Sequence, residues 1–149
     1  MKLPVLTLKQ PWAGLVVLGK KTVENRSWRP KLPLPYRLLI HAGQSTDRDW
    51  EEEWYPACHR RGILGVVKVI GYVAQDDTLI GAVPIHYNKA GLGSIPKEDL
   101  AWLSPAEEDC GWVLRQPFAF DEPIPAKGKL GIWYADVDVD GLAAGSAGG

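Results

Sequence analysis

The chain has 149 residues, 46% apolar and 23% charged, the size and balance of one globular domain with a core of its own. A net charge of -1 excludes the globally basic surface of a bulk nucleic-acid coat, and no apolar run is long enough for a membrane span or a signal peptide. Cys58 and Cys110 fit no disulfide framework and read as reduced thiols in a cytoplasmic protein, with one bridge as the alternative.

In chain order, Val5–Leu8 predicts a short strand, and Pro11 opens a helix at a position where its missing N–H costs nothing. Leu15 to Leu18 make that helix apolar all round, hence buried, and Gly19 ends it. Thr22–Trp28 predicts a strand whose period of two sets Thr22, Glu24, Arg26 and Trp28 on one face. After the Pro30/Pro33/Pro35 loop, Arg37–Ala42 predicts a near-continuous apolar strand ending at His41 and Ala42.

Ser45 or Thr46 is expected to cap a helix that is acidic from Asp47 to Glu53 and basic at His59, Arg60 and Arg61, with Pro56 kinking it. Ile63–Val73 predicts a long central strand, Trp112–Arg115 a shorter one, and Leu130–Val137 another after a Pro123/Pro125 connector. Residues 76–109 read as an insertion over the mouth of a small mixed barrel, with a short helix near Lys97–Leu103. Residues 1–140 are expected to form one domain, with Leu6, Val23, Leu39, Val67, Val69, Val113 and Ile132 in a shared core. Residues 141–149, nearly all Gly, Ala and Ser, predict a disordered tail.

Seven Trp are more than one small core needs, so some are expected to line a groove where an indole can stack on a flat ligand. Trp50 and Trp54, four apart on the acidic helix, and Trp133 in an alternating strand read as core. From Lys20 to Arg37 six cations face Glu24 as the lone acid, a basic strip able to hold a short anion. The three His and two Cys show no metal-ligand spacing, so neither metal nor cofactor is expected.

The densest chemistry lies in Gly19-Lys20-Lys21-Thr22-Val23-Glu24-Asn25-Arg26-Ser27-Trp28. Gly19, Lys21, Glu24 and Arg26 match Gly-x-Lys-x-x-Glu-x-Arg without a gap. Further along stand Gln10-Pro11-Trp12-Ala13 before it, and Ile40-His41-Ala42, Gly62-Ile63-Leu64-Gly65-Val66-Val67 and Lys129-Leu130-Gly131-Ile132-Trp133 after it. In that order, from Leu6 to Val137, the chain resembles the bacterial branch of the ASCH family, related to the RNA-binding PUA domains. The resemblance implies an α+β fold, a small PUA-like mixed β-barrel of five to six strands with flanking helices. It also implies a cleft lined by Lys21, Glu24 and Arg26 that takes RNA or a nucleotide.

Some members of that family cleave single-stranded RNA, and a small branch hydrolyses the acetamide of N4-acetylcytidine with a Thr where this chain has Glu24. Lys21-Thr22-Val23-Glu24 departs from that branch's Lys-Thr-x-Thr, which argues against the amidohydrolase activity here.

The residues themselves agree with recognition. Glu24 and Arg26 project from one strand face about 7 Å apart. A carboxylate can accept from a base amino group, Arg26 and Lys21 can hold a phosphate or base carbonyl, and Trp12 or Trp28 can supply a stacking plane. His41 either reaches this cleft or is a buried imidazole. Three functions stay open: a module binding single-stranded RNA, a nucleotide or a nucleoside; a hydrolase in the same cleft; and a protein-interaction domain using the Pro-rich loop. In the second, Lys21 is the base toward the Thr22 hydroxyl or a water, and Glu24 orients the substrate. The absence of a carboxylate or Ser/His pair near the motif favours binding. As charges on an exposed strand, Glu24 and Arg26 are expected to add little stability, and a plain surface ion pair is the competing view.

Overall fold

The computed structural model describes residues 1–47, 56–74, 79–81, 96–105 and 109–148. In chain order it contains β1 (Lys2–Gln10), α1 (Trp12–Val17), β2 (Val23–Arg26), β3 (Tyr36–Thr46), a 3-10 turn at Pro56–His59 and β4 (Gly62–Val73). There follow β5 (Leu79–Gly81), α2 (Lys97–Leu100), β6 (Cys110–Ile124), β7 (Ile132–Asp136) and α3 (Val139–Gly148). The strands form one mixed sheet in the order β2-β6-β4-β3-β1-β7, with β5 on β4, so the fold is α+β. None of the described helices is long and apolar enough to cross a membrane.

The chain divides into two compact units. The first comprises Met1–Lys20, Arg37–Val67 and Gln116–Gly149, the second Lys21–Tyr36 and Lys68–Arg115, so β4 and β6 each contribute to both.

In the first unit β1 lies parallel to β3, Val5 opposite Leu39 and Thr7 opposite His41, and antiparallel to β7, Val5 opposite Trp133. Flanked on both edges and covered on both faces, β1 buries Leu3 and Val5 as well as Leu6 and Leu8. Leu3, Val5, Leu39, Ile63, Val66, Phe120, Trp133, Val137 and Val139 form a core cluster.

The apolar helix α1 is buried as expected, from Ala13 to Val17. It ends in a paired set of bonds: Gly19 N–H donates to Val16 O at 3.0 Å and Lys20 N–H to Leu15 O at 2.9 Å. Gly19 accepts the left-handed backbone (φ +76°) that this cap requires. Gln10 holds the helix start in place. Its side-chain amide is fully buried, donating to the carbonyls of Ala57 (2.7 Å) and Arg60 (2.8 Å) and accepting from Gly14 N–H (2.9 Å). Gly14 lies so close to the 3-10 turn that a Cβ would meet Ala57 C and Cys58 N at 2.7 Å.

The structure departs from the sequence expectations in four places. First, β3 continues through Gly43 to Thr46 because it stays paired with β1, Gln10 opposite Thr46, so Ser45 and Thr46 are strand residues and not helix caps. The acidic helix expected from Asp47, with Trp50 and Trp54, lies outside the described residues, as do His86 and most of the 76–109 insertion. Second, β6 runs through Pro117 and Pro123 to Ile124, far beyond Arg115, with Gln116 in the left-handed region at φ +51°. Third, where the composition predicts a disordered tail from 141, Val139–Gly148 is α3. Asp138 caps it, accepting from Gly141 N–H at 2.9 Å, buried Val139 anchors it, and Ala143 and Ala144 favour the helix. Fourth, the seven residues expected in one core are divided: Leu6, Leu39, Val67 and half-buried Ile132 fall in the first unit, Val23, Val69 and Val113 in the second.

A buried ion triad as the candidate site

The second unit carries the motif. Here β2 pairs antiparallel with β6, Val23 opposite Val113, Glu24 opposite Trp112, Asn25 opposite Gly111 and Arg26 opposite Cys110. Directly opposed residues share a face, so Glu24 and Arg26 lie beside Trp112 while Val23 faces the other way and is fully buried. Trp28 packs edge-on against Trp112, centroids 4.9 Å apart at 85°, and its carbonyl accepts from Trp112 Nε1 at 3.0 Å. The face predicted from the period of two thus carries Glu24, Arg26 and Trp28.

Lys21 lies before the strand begins, which lets its long stem turn back along it. Its Nζ donates to Val23 O and to Glu24 Oε1, the latter at 2.8 Å, and stands 5.8 Å from the Trp102 ring centroid. The other carboxylate oxygen of Glu24 meets Arg26 Nε at 3.1 Å. One carboxylate therefore holds two cations, and all three side chains are largely covered: 8% exposed for Lys21, 13% for Glu24 and 27% for Arg26. The expectation of solvated strand charges is corrected by this burial. Trp112, opposite Glu24 in the register, is itself fully buried, and Trp28 packs against it.

Thr22 points elsewhere. Its hydroxyl donates to Glu98 O at 3.1 Å, so its proton is committed to a carbonyl and Lys21 is a donor in both of its hydrogen bonds. The base–nucleophile contact considered from the sequence is not formed.

Two further side chains, Asn25 and Arg115, bind the α2 segment. Asn25 Nδ2 donates to Trp102 O at 2.7 Å and its Oδ1 accepts from Ser104 N–H at 3.1 Å, a two-point clasp on the backbone. Arg115 grips the fully buried Asp99 through two bonds, of 3.0 and 2.6 Å. Asn25 could have been suspected: a polar residue on the inward face of a strand needs a partner.

Trp12 and His41 belong to the first unit. Trp12 opens α1 and is half-buried. His41 is buried, with Nδ1 3.2 Å from Thr7 Oγ1 and Nε2 2.7 Å from Ala126 O, while Trp133 Nε1 donates to Thr7 Oγ1 at 3.1 Å. Both imidazole nitrogens are engaged, as in the buried-imidazole alternative. In that unit burial also pushes the Cys58 thiol above its ordinary pKa.

The ASCH domain profile matches residues 6–117, three-quarters of the chain. The chain belongs to the ASCH domain family. Solved structures agree on the fold. The ASCH protein from Zymomonas mobilis matches at TM-score 0.51 with 14% identity, over 95% of this chain and 93% of that one. A point variant of the same protein matches at 0.53 with 15% identity, over 95% and 96%. At such identity the likeness carries the fold alone.

Proposed function

We propose that this ASCH domain binds single-stranded RNA or a nucleotide at the Lys21–Glu24–Arg26 face of its second unit. The observation that supports this most is the double-held carboxylate. Lys21 donates to one oxygen of Glu24 and Arg26 Nε stands in ion-pair contact with the other, while a carboxylate offers about four acceptor positions. Glu24 keeps the capacity to accept from a base amino or imino group, in an orientation set before the ligand arrives. Half-buried Trp28 and Trp102 supply the aromatic surroundings, Trp28 against Trp112 and Trp102 beside Lys21. His41, with both nitrogens engaged, and Trp12, in the other unit, are not part of this proposal.

Capture without turnover fits the same geometry, because Thr22 and Lys21 are each occupied as donors to other groups. Incubation with N4-acetylcytidine should release no acetate. Titration with a panel of nucleosides, nucleotides and a short single-stranded RNA should find at least one ligand whose affinity falls in Glu24→Gln. Losing a charge-assisted acceptor costs about 1.5–3 kcal/mol, or roughly ten- to a hundredfold in affinity. A folded Glu24→Gln that binds every ligand as the parent does would remove the carboxylate from the site.

A further inference from the structure

Where α1 ends, apolar side chains from three strands and turns leave a space between them. Leu18, Leu64, Ala119, Phe120 and Pro123 surround a cavity of about 210 Å³ that Arg60 also lines, and every one of these residues belongs to the first unit. Leu64 and Phe120 are 3% and 4% exposed and form its deep side, whereas half-buried Leu18 and Pro123 stand toward solvent. The walls are fixed before any ligand arrives. The buried amide of Gln10 donates to Ala57 O and Arg60 O, pinning the backbone that carries Arg60, and Phe118 packs edge-on against Phe120 with centroids 5.7 Å apart.

The chemistry of the lining is one-sided. It is apolar except for Arg60. A buried water needs about two to four polar partners, so this lining hydrates poorly and favours an apolar body. Half-buried Arg60 donates from Nη1 to the carbonyl of Asp121 at 3.0 Å, a neutral acceptor. Among the described residues no carboxylate forms an ion pair with it. Its guanidinium has further N–H donors, and a carboxylate is the group that accepts two of them at once. Size narrows the ligand further. A cavity of about 150 Å³ holds benzene, so this one has room for a ring and a carboxylate, about nine non-hydrogen atoms. A nucleoside exceeds that space.

We infer that this cavity is a binding site for a small monocarboxylate with a ring-sized apolar body, its carboxylate on Arg60 and its body against Leu18, Leu64 and Phe120. The inference stands independently of the role proposed for the triad, whose residues lie in the other unit.

The test titrates the full chain with benzoate, benzyl alcohol and acetate and follows backbone amides by NMR. Benzoate should bind with a Kd on the order of 1 mM or below and shift the amides of Ala57, Arg60 and Phe120. Benzyl alcohol keeps the ring without the charge and acetate the charge without the ring, so each should bind about tenfold or more weakly. Arg60→Gln should weaken benzoate by about tenfold or more and leave benzyl alcohol unchanged. Ala119→Leu, which fills the cavity, should abolish binding of both. Should that variant not fold, Leu18→Ala reads the same wall by size: it should admit a naphthoate that the parent excludes. Benzyl alcohol binding as tightly as benzoate, benzoate affinity unchanged in Arg60→Gln, or a naphthoate excluded by Leu18→Ala as by the parent would each overturn the site. So would the absence of any benzoate shift, or shifts centred on Lys21, Glu24 and Arg26 in place of the turn.

Discussion

Replacing Glu24 with Ala separates a buried triad from a surface ion pair. With the carboxylate gone, Lys21, 8% exposed, keeps the Val23 carbonyl as its hydrogen-bond acceptor, and Arg26 Nε loses its carboxylate partner. Breaking a buried pair by removing one member costs about 3–5 kcal/mol, because the stranded charge stays desolvated. The lower end applies here, since Lys21 keeps one acceptor and Arg26, 27% exposed, can turn to water. A loss near 3 kcal/mol shifts the melting temperature of a chain this size by about 6–12 °C. Arg26→Ala removes the more exposed member and should cost about 1 kcal/mol. Glu24→Gln, which leaves an amide oxygen for Lys21, should fall between. Urea denaturation followed by Trp fluorescence reads all three, with Trp28 and Trp112 beside the triad as reporters. Should Glu24→Ala stay within about 0.5 kcal/mol of the parent, the triad is solvated and the burial argument collapses.

Gly14→Ala should destabilise by about 1–3 kcal/mol in the same assay, because the new Cβ would press on Ala57 and Cys58 backbone atoms at 2.7 Å, which cannot swing aside. Arg115→Lys should also destabilise, by about 2 kcal/mol, since an ammonium cannot replace both bonds to buried Asp99. Burial raises the Cys58 thiol, so the folded state favours the neutral form: its contribution is full below the unfolded thiol pKa and fades as pH rises through the folded one. Alkylation of Cys58 near pH 8, followed by peptide mass spectrometry, should accordingly be slower than for a free cysteine and accelerate in urea. Because β4 and β6 run through both units, residues 1–140 are proposed as one cooperative domain; calorimetry should give a single transition, and two resolved transitions would divide it.

What the sequence reveals tracks how local each cause is. The cap of α1 is written in six consecutive residues, since Gly19 takes the left-handed backbone that lets the two end bonds form. Strand length is not local. β3 outlasts its apolar stretch because β1 is there to pair with Gln44–Thr46 territory through the Gln10–Thr46 register, and β6 crosses two prolines because neighbouring strands hold it. Pro117 and Pro123 punctuate a chain read alone, yet a strand tolerates a missing donor where the ladder does not demand one. The C-terminal helix fails for a related reason. Its composition predicts flexibility, but one capping aspartate and one buried valine suffice to start it.

The candidate site follows the same division. Lys21, Glu24 and Arg26 lie within six residues, and a period of two is enough to bring the last two together before any fold is known. What that period cannot supply is environment, because Trp112 reaches β2 through the antiparallel register and Trp102 through the α2 segment, some eighty residues on. Burial is the decisive property, and the strand period alone does not supply it. Glu24 in water would be a carboxylate in a weak surface pair; beside two indoles and between two cations it becomes a fixed acceptor whose loss the whole strand should feel. The stability and binding consequences of Glu24 therefore share one origin. An acceptor preorganised for a ligand is expensive to strand, so its Ala variant should lose both affinity and stability, while its Gln variant spares most of the fold and reports on the ligand.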